Sequence, residues 1–184
     1  EKTMGCFFNE LGRHAILHAQ KYHKSGKSCP VAVVAGGDPL LFVFSSMHMP
    51  EGVSEYDCVG GLRGEPVPVF ISDLTGLPLP ASAEIIIEGE LKAGDTVQEG
   101  PFGEWTGYYG APAAHRPAIR VQRIMFRRNP ILLGYSPCRP PSNNTLLRSV
   151  QASATVWEAL EAAGVTEVQG VWCNESGGGR LFNV

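Results

Sequence analysis

The sequence predicts an α+β fold, on three observations. Helix-like and strand-like segments alternate over its first third, and short apolar or alternating runs then follow one another from Val67 to Tyr135 between Gly, Pro, Asp and Asn. A helix-period segment returns after Thr145. Several short strands joined by short turns suggest an antiparallel barrel or sandwich, here with helices on either side in sequence. At 184 residues the chain suits one domain with a sizeable core.

In chain order, Asn9 to about Lys27 fits an amphipathic helix, with Leu11, Ala15, Leu17 and Ala19 among polar neighbours and Gly26 as its stop. His14 and His18 are four apart and share a helix face, a spacing that suits a metal as well as plain solvation. Val31–Ala35 is a β-branched run between Pro30 and Gly36-Gly37, hence a buried strand. Asp38-Pro39 supplies an N-cap and a first-turn proline for a helix to Phe44, leaving the backbone and hydroxyls of Ser45-Ser46-Met47 to meet a ligand.

Ser54 caps a second short helix to about Leu62, with Asp57 in the capping-box position. Strands are expected at Val67–Ile71, Glu84–Glu90, Gly107–Tyr109, Ala118–Phe126 and Ile131–Tyr135. Pro140-Pro141 keeps the next segment irregular. Thr145–Ala163 repeats Leu146, Val150, Ala154, Trp157 and Leu160 at helical period, and Val168–Trp172 reads as a last strand.

Bulk properties exclude several classes. Net charge is −3 with both signs interspersed, so no basic stripe recommends nucleic acid; Arg123, Arg127 and Arg128 read as a solvated strand end. No apolar run approaches the ~20 residues that cross a bilayer, so no membrane insertion is expected. The five cysteines are scattered and never form Cys-x-x-Cys, which argues for reduced thiols and a cytoplasmic protein. The run Gly177-Gly178-Gly179 lacks the Gly-Lys-Ser/Thr element of a phosphate loop.

The stretch Glu99-Gly100-Pro101-Phe102-Gly103-Glu104-Trp105-Thr106-Gly107-Tyr108-Tyr109 is the candidate place for the chemistry. Its two acids are five apart, an odd spacing that sends side chains to opposite faces of a straight strand. Gly100, Pro101 and Gly103 supply the bend that lets them meet. Paired acids beside aromatic side chains suit general-acid work, since an apolar wall and a neighbouring charge both favour a neutral carboxyl group. A Gly/Pro turn with solvated glutamates, and aromatics facing a core, is the competing reading.

Glu99-Gly100-Pro101-Phe102-Gly103-Glu104 followed by Thr106-Gly107-Tyr108-Tyr109 resembles the signature loop of the UbiD-type decarboxylases, which use prenylated flavin mononucleotide (prenylated FMN). Ser45-Ser46-Met47, the segment from Pro50 to Asp57, that from Leu79 to Glu84, and Glu88-Gly89 resemble further segments of that family in the same order. The resemblance implies a split antiparallel β-barrel flanked by helices. Within a single domain, residues 1–64 would bind flavin and metal, 65–135 would form the barrel, and 136–184 a connector, helix and strand.

It further implies reversible decarboxylation of an aromatic or α,β-unsaturated carboxylic acid by a homo-oligomer. Glu104 would be the proton donor and Glu99 a partner in the same network. His14 and Glu55 would hold a divalent metal, Mn or Mg, with potassium as a further cation. Arg13, His14, Ser45, Ser46, Met47 and Glu55 would surround the flavin. The family's third metal ligand, an asparagine, and the arginine of its acid network would precede Glu1, so a fragment of a longer chain, or one subunit of a split enzyme, is expected. The alternative is a flavin-binding or accessory subunit without turnover. A glycosidase would need its acids on opposite sides of a sugar ring, which one tight loop does not supply.

Overall fold

A computed structural model describes residues 3–6, 14–47, 49, 52–104, 107–134, 139–177 and 181–184. In chain order these form β1 (Thr3–Gly5), α1 (His14–Lys24), β2 (Cys29–Ala35), α2 (Pro39–Ser45), α3 (Glu55–Arg63), β3 (Val69–Ile71), β4 (Pro78–Pro80) and β5 (Ile85–Glu99). There follow β6 (Phe102–Gly103), β7 (Tyr109–Ala111), β8 (Ala114–Phe126), α4 (Asn143–Ala162), β9 (Trp172–Cys173), a 3-10 turn (Glu175–Gly177) and β10 (Phe182–Asn183). The class is the α+β fold with antiparallel sheets that the sequence predicts. Two compact units arise: residues 1–100 with 113–134, and residues 101–112 with 135–184.

The first unit is built on a four-stranded antiparallel sheet in the order β1-β8-β5-β2. Side chains alternate across its faces, so each face gathers its own cluster. Cys29, Leu91 and Ile119 are buried with Ala19 of α1, and Val31 and Val33 pack against them. On the other face Leu79, Ala83 and Ile86 are buried with Ala32 and Met125 alongside. Gly26, with φ +74°, ends α1, and His23 bonds the Leu91 carbonyl at 3.1 Å. His23 is therefore half-buried and tethers α1 to β5; His18 is exposed.

The β3-β4 ribbon is held to the sheet by an acid inside it. Glu88 is fully buried and accepts from the Ser72 and Thr75 hydroxyls and from Arg123 Nε at 2.8 Å. Burial by itself would raise its pKa; the two hydroxyls and the Arg123 guanidinium outweigh that and hold it below the ordinary glutamate value. Arg123 also pairs with Asp73, and Arg127 donates to the carbonyls of Ala83 and Ala81. These arginines are thus anchors and not a solvated strand end.

One strand expectation in this unit is extended and another fails. Glu84–Glu90 is only the first half of β5, which continues to Glu99 because Thr96–Glu99 pair with Ala114–Pro117. Ile131–Gly134 carry no strand; the Ile131 amide is taken by the Glu84 carboxylate at 3.1 Å instead of by a neighbouring strand.

In the second unit α4 is capped by Ser142 and Thr145, whose side chains each bond the other's backbone amide. Its inward face is not the apolar stripe that periodicity selects: Leu146 and Val150 are exposed, whereas Thr145, Ser149 and Ser153 are buried. Those hydroxyls satisfy themselves on carbonyls of α4 and Ser142, and Ser153 Oγ also accepts the Cys173 amide at 2.8 Å. Small side chains let β9 approach the helix closely. The expected strand at Val168–Trp172 is correspondingly shorter and later, Trp172–Cys173, with none at 168–171.

Candidate functional site

Gly36 and Gly37 follow β2 with φ of +79° and +122°, and both are needed for close approach. A Cβ on Gly36 would come within 2.6 Å of the Ile131 carbonyl oxygen, and one on Gly37 within 2.9 Å of that of Ser82. The chain then enters α2, where Asp38 caps the Leu40 amide at 2.9 Å. Asp38, Leu41, Phe42 and Ser45 recur at helical spacing on one side of α2 and line a cavity of about 350 Å³. Val34, Ser82, Ala83 and Leu133 continue the wall, and Glu55 and Tyr56 from the first turn of α3 complete it.

Glu55 opens α3 because Ser54 caps it, accepting from the Tyr56 amide at 3.2 Å. The Ser54 bond runs to the second helical residue, and the expected reciprocal bond from Asp57 is not part of this cap. Tyr56 donates its hydroxyl to the Pro78 carbonyl at 3.1 Å, anchoring that turn. Burial, and then the adjacent Glu55 charge, push the Tyr56 phenol up.

The end of α2 differs from expectation in one respect. Ser45 Oγ donates to the Phe42 carbonyl at 2.8 Å and Ser46 Oγ to that of Val43 at 2.7 Å. The Ser46 and Met47 amides are likewise spent on the Val43 and Phe44 carbonyls. Ser45 borders the cavity with its proton already spent, leaving oxygen lone pairs on that side, whereas Ser46 and Met47 are not among the residues lining it.

The structure thus brings Ser45 and Glu55 together on one cavity, from two successive helices. His14 opens α1 and is not among the residues lining it; Arg13 lies outside the described residues. Among the described residues no group of three or more His, Cys, Asp or Glu could hold a metal ion. The cavity's size, within the ~300–1,000 Å³ of small-molecule sites, and its largely apolar wall suit a small-molecule ligand.

The two acids of the signature loop belong to different units. In the first, Glu99 ends β5 and its carboxylate lies over Gly5, where a Cβ would collide with it. Cys6 is next to Gly5, and burial first, then the Glu99 charge, raise its thiol pKa. In the second, Glu104 opens a turn in which its amide donates to the Tyr108 carbonyl at 2.8 Å and its carbonyl accepts from the Gly107 amide at 2.9 Å. Gly107 has φ +87°, and a Cβ there would come within 2.6 Å of Arg139 Cα. The Glu104 side chain lies over Gly110, again in space a Cβ would need. The bend between the acids passes through Gly100, with φ +81°. Tyr108 and Tyr109 are 78% and 76% exposed, which rules out the core reading for them, and Trp105 lies outside the described residues.

In the first unit an antiparallel sheet carries a helix-walled cavity of the size of a small-molecule site. A family model described as UbiD, 3-octaprenyl-4-hydroxybenzoate carboxy-lyase Rift-related domain, matches residues 1–140, and the chain belongs to that family. The pyrrole-2-carboxylic acid decarboxylase of Pseudomonas aeruginosa is 35% identical over 162 residues, 88% of this chain and 32% of that protein. The UbiD-class enzyme HmfF from Pelotomaculum thermopropionicum, solved with FMN, superposes at a TM-score of 0.83 with 29% identity, over 96% of this chain and 38% of its own. An evolved dimeric form of HmfF, solved with prFMN, gives 0.83 and 29%, over 96% of this chain and 40% of that one. The chain spans about a third of the length of the curated relative it matches.

Asp38, Tyr56, Ser82 and Leu133 border the cavity without having been singled out as site residues. Asp38 was legible only as a helix cap. Tyr56 and Ser82 lie in the family-like segments Pro50–Asp57 and Leu79–Glu84, whereas Leu133 carries no local signal.

Proposed function

We propose that this chain is the flavin-binding and proton-donating portion of a UbiD-type decarboxylase acting, reversibly, on an aromatic or α,β-unsaturated carboxylic acid. The observation that carries this reading is the convergence of Ser45 and Glu55 on one cavity of flavin-compatible size, in a chain of this family. Prenylated FMN, when bound, supplies the electron sink into which the carbon–carbon bond electrons pass as carbon dioxide leaves.

This chain's residues supply position and protons. Ser45, Ser46, Met47 and Arg13 would border the flavin, and Glu55 and His14 would donate to a divalent cation, Mn or Mg, beside it, with potassium able to share the lone pairs of Ser45 and Ser46. Such a donor set is oxygen-rich and hard. Glu104 would return a proton to the carbon that lost its carboxylate, and Glu99 would help to reload it. The twin glycines Gly5 and Gly110 leave room for both side chains. The protein would work as a reduced, cytoplasmic homo-oligomer within a single domain that the rest of a longer chain completes.

The test is turnover by the full-length protein supplied with prenylated FMN, against a panel of aromatic and α,β-unsaturated acids. Carbon dioxide release from one class supports the reading. Flavin binding without release from any acid favours an accessory subunit.

A further inference from the structure

Asp38 does three things at once. It caps α2, it borders the cavity, and it takes a two-pronged ion pair from Arg63 at the end of α3, with Nη1–Oδ2 at 2.5 Å and Nη2–Oδ1 at 2.7 Å. Its side chain is only 4% exposed, whereas that of Arg63 is 37% exposed. The acid therefore sits inside and its counter-ion reaches it from the solvent side. Arg63 is not among the residues lining the cavity. The two acids that are, Asp38 and Glu55, differ in that Asp38 is paired by this guanidinium.

We propose that Arg63 sets the charge of the cavity: by neutralising Asp38 it lets the cavity take a phosphate-bearing flavin. The inference rests on the flavin reading above and deepens it. In a partly enclosed site a second unpaired carboxylate would repel a phosphate dianion far more strongly than it would in water. The planar fork of arginine matches both oxygens of a carboxylate, which a lysine cannot do. Arg63 thereby acts through Asp38 and is a positioning residue without touching the ligand.

The rival role is a mere staple between α2 and α3, and the two separate experimentally. Asparagine caps a helix as well as aspartate does, so Asp38→Asn removes charge while keeping the cap. The measurement is FMN and riboflavin affinity of the full-length protein by flavin fluorescence, riboflavin being the uncharged control. Arg63→Ala weakens FMN by about tenfold and riboflavin by less than about threefold, and adding Asp38→Asn restores FMN to within about threefold of wild type. Asp38→Asn alone binds FMN at least as tightly as wild type. Equal losses for both flavins, or no recovery in the double variant, overturn the charge role and leave the staple. Should Arg63→Ala not fold, weakened FMN binding by Asp38→Asn overturns it. Unchanged FMN binding by Arg63→Ala also overturns it while leaving the flavin reading intact, and a wild type that binds neither flavin overturns both.

Discussion

The carboxylate of Glu99 lies over the backbone of Gly5, in the space a Cβ at that position would need. Oε2 is the far end of a flexible side chain, so an added methyl displaces the acid before it disturbs the sheet. Gly5→Ala should cut turnover of the full-length enzyme about 10- to 100-fold, the scale of a misplaced catalytic group, with a melting temperature close to wild type. Steady-state kinetics beside thermal melts check it; wild-type kcat would remove Glu99 from the reaction.

Glu104→Gln keeps the shape of the turn and removes the transferable proton. Turnover should fall by about 10²–10⁴, the span general-acid catalysis contributes, while flavin affinity stays at the wild-type value. Gly110→Ala reaches the same acid by crowding its Cγ and should also slow turnover. A proton-exchange assay on product, run with flavin titrations, separates chemistry from binding.

Glu55→Ala should lower divalent metal and FMN occupancy together, because both are assigned to the end of the cavity that Glu55 borders. Elemental analysis and flavin absorbance on one sample read both. Full metal content beside lost flavin would detach Glu55 from the metal.

Glu88 makes stability depend on acid. Its folded pKa lies below its unfolded one, so its contribution is complete above the unfolded value and disappears as pH falls through the folded one. Denaturant melts of wild type should therefore lose stability as pH drops below about 4.3, the ordinary glutamate value. Glu88→Gln should be less stable at neutral pH by about 2 kcal/mol, the scale of hydrogen bonds to a charged group, and should lose less stability on acidification. A parallel acid decline in both proteins would refute the assignment.

What the sequence disclosed was local. Asp38-Pro39 and Ser54 announce α2 and α3 because a cap is chemistry between a side chain and an amide two residues on. The signature acids were legible through the family loop. What escaped depends on partners far along the chain. Ile131–Gly134 has strand composition, yet its first amide is bonded by Glu84, and nothing near Ile131 signals that. Leu146 and Val150 have the right period for a buried face, yet within its unit α4 turns the hydroxyls of Thr145, Ser149 and Ser153 inward, where β9 can come close. The Arg63–Asp38 pair joins the ends of two helices that only the fold brings side by side.

The pairing of β5 with β8 is interrupted between Leu91 and Thr96, and Glu99 lies beyond that break. Alternation has a period of two, so the facing of Glu99 is fixed by the register of Thr96–Glu99 on Ala114–Pro117, beyond the break. The unpaired residues Lys92–Asp95 can take up a single insertion, whereas a one-residue slip of that last pairing would turn Glu99 to the opposite side of the sheet. A chain keeping every letter of Glu-Gly-Pro-Phe-Gly-Glu would then carry this acid the wrong way round.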